Sequence, residues 1–176
     1  MNQPSPLNRE EIRRLIEEER LIEGYIDLET QLQPAGFDLT LAEIYEFLDA
    51  GSVDFSNEER RLPETRPLKP DGEGWYRLPR GCYLIVYNEA VRIPLDIVAI
   101  ARPRSTLLRC GASIGTAVWD PGYEGRSSSL LMVQNPHGIR LKRDARVTQL
   151  LFFRIKRVEE GYRGAYQRER LEDEPF

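Results

Sequence analysis

Seven short apolar runs, at 75–78, 82–87, 97–101, 113–118, 129–134, 139–141 and 147–155, follow one another along this 176-residue chain. Several are rich in Val, Ile, Tyr and Phe, and Pro or Gly separates most of them. Runs of this length and spacing read as the strands of a closed all-β structure, a barrel or jelly roll. Upstream, PAGFDLTLAEIYEFL (34–48) begins with alternation, Phe37, Leu39 and Leu41 on one face and Asp38 and Thr40 on the other, the pattern of a half-buried strand. Residues 49–74 are polar, hold Pro63, Pro67, Pro70, Gly72 and Gly74, and read as loop with short strands.

Two helices are predicted. Over 8–22, Asn8 caps, Glu11 completes a capping box, Leu7 staples against Ile12, and Ile12, Leu15 and Ile16 share a face. A shorter one is predicted at 104–110, with Leu107 and Leu108 packing inward. The tail from 157 to 176 is charged, has few apolar residues, and is expected to be mobile until something binds it. The length suits one domain, divided as a helical appendage (1–33), a β-barrel (34–156) and a tail (157–176).

Charge narrows the function. The formal net charge of −4 averages two unlike halves. Residues 1–89 carry 19 acidic against 10 basic side chains, residues 90–176 carry 10 against 15, and residues 101–157 carry 3 against 11. The cationic excess points to an anionic ligand. The chain as a whole is acidic and its basic stretch is interrupted by strands, which argues against nucleic acid. No apolar run reaches the roughly 18 residues of a membrane span, and MNQPSPLNREE lacks a signal peptide's apolar core, so a soluble cytoplasmic protein is expected. Cys82, Cys110 and His137 make neither a disulfide framework nor a zinc site. Both thiols are expected to be buried, His137 to sit in a turn, and Trp75 and Trp119 to serve packing.

No Ser-His-Asp set, Cys-His pair, P-loop or dinucleotide fingerprint is present. Catalysis must then run on carboxylates, guanidiniums, hydroxyls and backbone amides. Phosphoanhydride hydrolysis with a borrowed metal ion needs positioning and charge neutralisation more than a protein nucleophile, and so fits that set. Pro103-Arg104-Ser105-Thr106-Leu107-Leu108-Arg109 ends a strand with a guanidinium, two hydroxyls and a helix start, the parts of a phosphate cradle or of an ordinary strand–turn–helix junction. Thr116 to Gly125 places Asp120 at a strand end, able to deprotonate a water or merely to bond its own Asp-Pro-Gly turn, with Tyr123 offering a flat face for a sugar or base. In Arg146-Val147-Thr148-Gln149-Leu150, alternation sets Arg146, Thr148 and Leu150 on one face and Val147 and Gln149 on the other, and Gln149 needs a partner. Gly161 to Gln167 gathers glycines, Tyr162, Arg163 and Tyr166 in the tail, as a closing lid would.

Taken in order, these segments resemble the superfamily of trimeric dUTPases and dCTP deaminases, most closely its archaeal-type dUTPases. Pro34-Ala35-Gly36-Phe37-Asp38-Leu39 looks like the first motif and Arg104-Ser105-Thr106-Leu107 the second. Val118 to Gly125 looks like the third and Arg146 to Leu150 the fourth. The resemblance implies a mainly β fold, a distorted jelly-roll-type barrel with an N-terminal helix and flexible tail, forming a homotrimer with active sites between subunits. It implies hydrolysis of dUTP to dUMP and pyrophosphate, with Asp120 activating water for attack on the α-phosphate. By the same resemblance Arg104, Ser105, Thr106, Arg109 and Gln149 would hold phosphates, and Tyr123, Ala117 and Trp119 would meet the sugar and base. Asp38 would support the phosphate and metal side indirectly, and Tyr162, Arg163, Tyr166 and Gln167 would form the lid. Mg²⁺ would be carried mainly by the triphosphate, with no metal held directly by the protein.

Deaminases of this superfamily carry a proton-shuttling Glu five residues after the third-motif glycine. Counting from Gly125 reaches Leu130 here, and no carboxylate lies between Glu124 and Asp144. The sequence therefore favours dUTP hydrolysis over dCTP deamination or a bifunctional enzyme, with a non-catalytic nucleotide-binding trimer third. The tail departs from the superfamily pattern at Ala165, where a Lys is usual, and at Glu169, where a Gln is common.

Overall fold

A computed structural model describes residues 5–171. In chain order the elements are β1 (Ser5–Pro6), α1 (Arg9–Glu19), β2 (Ile22–Glu23), α2 (Leu28–Gln31), β3 (Leu32–Gln33), β4 (Gly36–Phe47) and β5 (Thr65–Pro67). They continue with β6 (Trp75–Leu78), β7 (Gly81–Tyr87), β8 (Ala90–Arg92), β9 (Ile97–Pro103), α3 (Ser105–Arg109), β10 (Ala112–Gly115), β11 (Glu124–Gly125), β12 (Ser128–Val133), β13 (Ile139–Lys142) and β14 (Arg146–Arg154). Among the described residues a nine-stranded sheet runs β1-β14-β4-β7-β12-β10, with β3 and β5 on β4 and β9 along the other edge of β14. Two smaller sheets, β11-β8-β2 and β13-β6, complete a mainly β fold around one core.

Each of the seven apolar runs contains a strand with one face turned to the core. On β7, Tyr83, Ile85 and Tyr87 are buried, and on β12 Ser129, Leu131 and Val133 are. Helix α1 starts as its capping box dictates: Asn8 Oδ1 accepts from the Glu11 amide at 2.9 Å and the Asn8 amide donates to Glu11 Oε2 at 3.0 Å. The helix ends earlier than expected. Arg20 takes a left-handed conformation (φ 57°), because Leu21 and Ile22 leave the helix to be buried and Ile22 pairs with Val91.

Four further expectations are corrected. Strand β4 is not half-buried: its first seven residues are buried on both faces, since α2 and the turn between β7 and β8 cover Asp38 and Thr40. The alternation along β14 is broken by a bulge, with Arg146 opposite Thr40 but Thr148 opposite Leu39. Arg146 is thereby shifted to the face of Gln149, and Thr148 and Leu150 point to the core. Of the α3 leucines only Leu107 packs inward, and Leu108 is 50% exposed because the helix is one short turn. Both cysteines are exposed rather than buried, Cys82 at an outward position of β7 and Cys110 just past α3. His137 does sit in a turn, its amide donating to Asn135 Oδ1, and Trp119 packs in the core.

From 157 to 171 the tail holds no helix and folds back over Pro121 to Arg126. Tyr162 N donates to Pro121 O at 2.7 Å, Arg168 N to Glu124 O at 2.7 Å and Arg126 N to Glu169 O at 3.0 Å. Residues 172–176, the end of the expected tail, lie outside the described residues.

Candidate active site

The predicted site residues gather in two places. The first lies where β4, β14 and the end of β9 meet. Asp38 Oδ2 stands 3.0 Å from Arg104 Nε and 3.2 Å from Arg146 Nη1, with the Asp38 side chain 2% exposed. Burial pushes the Asp38 carboxyl above its ordinary range, and the two guanidiniums pull it back down. Arg146 also donates to Thr30 O at 2.8 Å, so the turn of α2 helps to aim it.

Gln149 is paired with Asp38 across the strands and so emerges on the same face. Its side chain lies against Gly36, where a Cβ would come within 3.1 Å of Gln149 Cγ and Nε2 and 2.5 Å of Leu150 O. The glycine thus lets the amide lie along β4. Among the described residues Gln149 finds no partner, which leaves its side chain available to a ligand. Ser105, Thr106 and Arg109 follow on α3 and are exposed.

The second place is a cavity of about 360 Å³ lined by Ala117, Trp119, Asp120, Tyr123, Tyr162 and Tyr166, with Ser127, Ser128 and Glu169 among its other walls. Trp119 pairs with Ala99 of β9 through two backbone bonds of 3.0 Å, which fixes where Asp120 leaves the barrel. Gly122 (φ +84°) completes the turn, and Tyr123 N donates to Asp120 O at 3.1 Å. The Asp120 carboxylate itself bonds to nothing among the described residues. The turn is held by backbone alone, and the acid is exposed at the cavity wall.

Tyr123 is buried, stacks edge-on against Tyr162 at 5.7 Å and donates its hydroxyl to Glu169 Oε1 at 2.9 Å. Burial, then the neighbouring Glu169 charge, raises its pKa and keeps the phenol neutral. Trp119 Nε1 donates to Ser127 Oγ at 3.0 Å, so the indole is fixed in place. Gln167 lies behind the cavity, donating to Gly122 O at 2.8 Å and accepting from Glu124 N at 3.0 Å. Arg163 points elsewhere, pairing with Glu160 at 3.6 Å in the open.

Ala99 and Arg104 are five residues of extended chain apart, about 16 Å between their Cα atoms, so the turn that carries Asp120 and the cradle leave different ends of β9. Among the described residues none of the cradle's side chains lines the cavity that holds Asp120.

The model of the family described as dCTP deaminase-like matches residues 6–155. The chain belongs to the dCTP deaminase-like family. Within reach of this family's name are relatives over nearly the whole chain. It is 52% identical over 165 residues (93% of this chain, 96% of the relative) to the probable deoxyuridine 5'-triphosphate nucleotidohydrolase of Methanosarcina mazei. It is 51% identical over 166 residues (94% and 98%) to the protein of the same description from Archaeoglobus fulgidus. Over 140 residues (79% and 88%) it is 38% identical to the deoxyuridine 5'-triphosphate nucleotidohydrolase of Methanocaldococcus jannaschii. In fold it is similar to the crystal structure of the 2'-deoxycytidine 5'-triphosphate deaminase of Agrobacterium tumefaciens, with a TM-score of 0.67 at 21% identity, covering 87% of this chain and 49% of that one.

Sequence reasoning missed three features of these two places. Glu89, which reads as a hairpin-turn residue, is wholly buried behind the cradle. Its partners Gln31 and Thr40 lie far away in sequence, so no local signal marks it. Ser127 and Ser128 line the cavity without any motif to flag them. Arg102 stands opposite Gln149, and its place two residues before Arg104, at the end of an apolar run, was the signal available.

Proposed function

We propose that this chain, acting as a single domain in the cytoplasm, is a dUTP diphosphatase that converts dUTP, taken up as its magnesium complex, to dUMP and pyrophosphate. The observation that carries the reading is the Asp120 carboxylate, unengaged at the wall of a nucleoside-sized cavity. The strand position where the deaminases carry their Glu holds Leu130, between Leu84 and Gly115. The names of relatives sharing half of their residues with this chain support the same substrate.

Asp120 holds a water and takes its proton as the oxygen attacks the α-phosphorus, and the α–β bridging oxygen leaves with pyrophosphate. Tyr123 packs on the deoxyribose and leaves no room for a 2'-hydroxyl, with Ala117 and Trp119 beside it. Arg104, Ser105, Thr106, Arg109 and Gln149 hold the phosphates, and Asp38 fixes the direction of two guanidiniums. Tyr162, Tyr166 and Gln167 close the cavity, and Arg163, on the same segment, is free to swing toward the phosphates.

Among the described residues no three His, Cys, Asp or Glu side chains gather to hold a metal ion, and Asp38 faces guanidiniums instead. A divalent cation therefore fits as part of the substrate, where it neutralises phosphate charge. A homotrimer that assembles the working site between subunits brings the cradle of one chain to the acid of another, and the placing of the two groups toward different ends of β9 supports it. Half-exposed Val98, Leu151 and Phe153 beside exposed Ile100, on the outward face of β9 and β14, give that assembly an apolar seam.

The test is a substrate panel: purified protein with Mg²⁺ and, separately, dUTP, dCTP, dTTP and UTP. Pyrophosphate release from dUTP and no ammonia from dCTP is expected, with chelation of Mg²⁺ stopping release. Ammonia from dCTP would overturn the reading in favour of deamination, and binding without turnover in favour of a non-catalytic role.

A further inference from the structure

We propose that Arg102 is a phosphate-binding residue of this site, gripping the pyrophosphate portion of the nucleotide; the proposal rests on the dUTP diphosphatase reading. Asp38, Gln149 and Arg102 form one row across β4, β14 and β9, each directly paired with the next. Directly paired residues of antiparallel strands emerge on the same face, and the row spans about 10 Å from first to last Cα. Arg104, just past the end of β9, and Arg146 both reach the Asp38 carboxylate, so Arg102 shares a face with two guanidiniums that this acid holds.

The three arginines are not equivalent. Arg104 and Arg146 are tethered to Asp38, which fixes their direction and offsets part of their charge. Arg102 is exposed and has no hydrogen bond or ion pair among the described residues. It supplies the charge that Asp38 leaves uncancelled and a planar fork suited to two phosphate oxygens. Its place on the strand is also particular. Val98 and Ile100, the preceding residues on the same face, are apolar, and the face turns cationic only where Gln149 and the cradle begin. A triphosphate that has one divalent cation still carries excess negative charge, and this end of the row is where the cradle can take it up.

Binding of inorganic pyrophosphate, measured by calorimetry, and steady-state kinetics with dUTP test the assignment on R102Q, R102K and, as a surface control, R80Q. A charge-assisted contact to phosphate predicts that R102Q loses about tenfold in pyrophosphate affinity and raises KM for dUTP similarly. Binding of dUMP and thermal unfolding should not change, R102K should recover part of the loss, and R80Q should behave as wild type. Unchanged pyrophosphate affinity in R102Q, or an equal loss in R80Q, would overturn the proposal. If wild-type protein left dUTP intact while R102Q alone lost pyrophosphate, the diphosphatase reading would fail and the phosphate site would stand.

Discussion

Glu89 has no exposed surface and, among the described residues, no ion pair, and every partner it has there donates to it. Gln31 Nε2 reaches Oε1 at 2.7 Å, the Thr40 amide reaches Oε2 at 2.9 Å, and the Thr40 hydroxyl reaches Oε1 at 2.6 Å. Asn88 Nδ2 donates to that hydroxyl at 2.9 Å, which turns its proton toward Glu89. Burial raises the Glu89 pKa, and the donors from Thr40 and Gln31 work against that rise. An amide in place of the carboxylate would set a donor against a donor. Glu89→Gln should therefore cost about 2 kcal/mol of stability, the price of one unsatisfied buried group, read as a lower midpoint in chemical denaturation. An unchanged midpoint would mean that the network does not depend on the charge. At this scale the sequence was informative where a residue's role depends on its neighbours in the chain. The turn that carries Asp120 and Tyr123 and the strand end that carries Arg104 were legible from local residues, whereas the burial of Glu89 was not, because its three donors come from residues 31 and 40.

The elements divide in the same way. Strands β6, β7, β9, β12, β13 and β14 match their apolar runs closely, because alternation and turn residues are local signals. Strands β2, β3, β8 and β11 and helix α2 span only two to four residues, and the partners that hold them lie elsewhere in the chain, so they left no pattern. The bulge at Arg146 to Thr148 was equally silent, and with it went the true face of Arg146. The tail gives an element-scale prediction. Gly122 has φ +84°, and a Cβ there would come within 2.7 Å of Gly161 Cα and 3.1 Å of Tyr162 N. Gly122→Ala should cost about 1–2 kcal/mol from the left-handed backbone alone and lift the tail from its seat. Limited trypsin digestion should then cut faster at Arg163 and Arg168 than in wild type. Equal rates would show that the tail does not depend on this turn.

For the whole molecule, the charge asymmetry now has a location. The basic side chains at 101–157 include Arg104 and Arg146, which pair with Asp38, and Arg102, which stands opposite Gln149 in the same row of strands. The acid that would act on the same substrate leaves the barrel beside Ala99, about 16 Å along β9 from where Arg104 follows that strand. On the proposed function the two groups act on one substrate, and the proposed trimer joins them by placing one subunit's Asp120 against another's cradle. Asp120→Asn and Arg104→Ala proteins, each purified alone, should release almost no pyrophosphate from dUTP. Unfolding the two together and refolding them as mixed trimers measures the claim directly. Activity should return, because some sites then pair an intact Asp120 with an intact Arg104, and a mixture as inactive as its components would contradict a site shared between subunits.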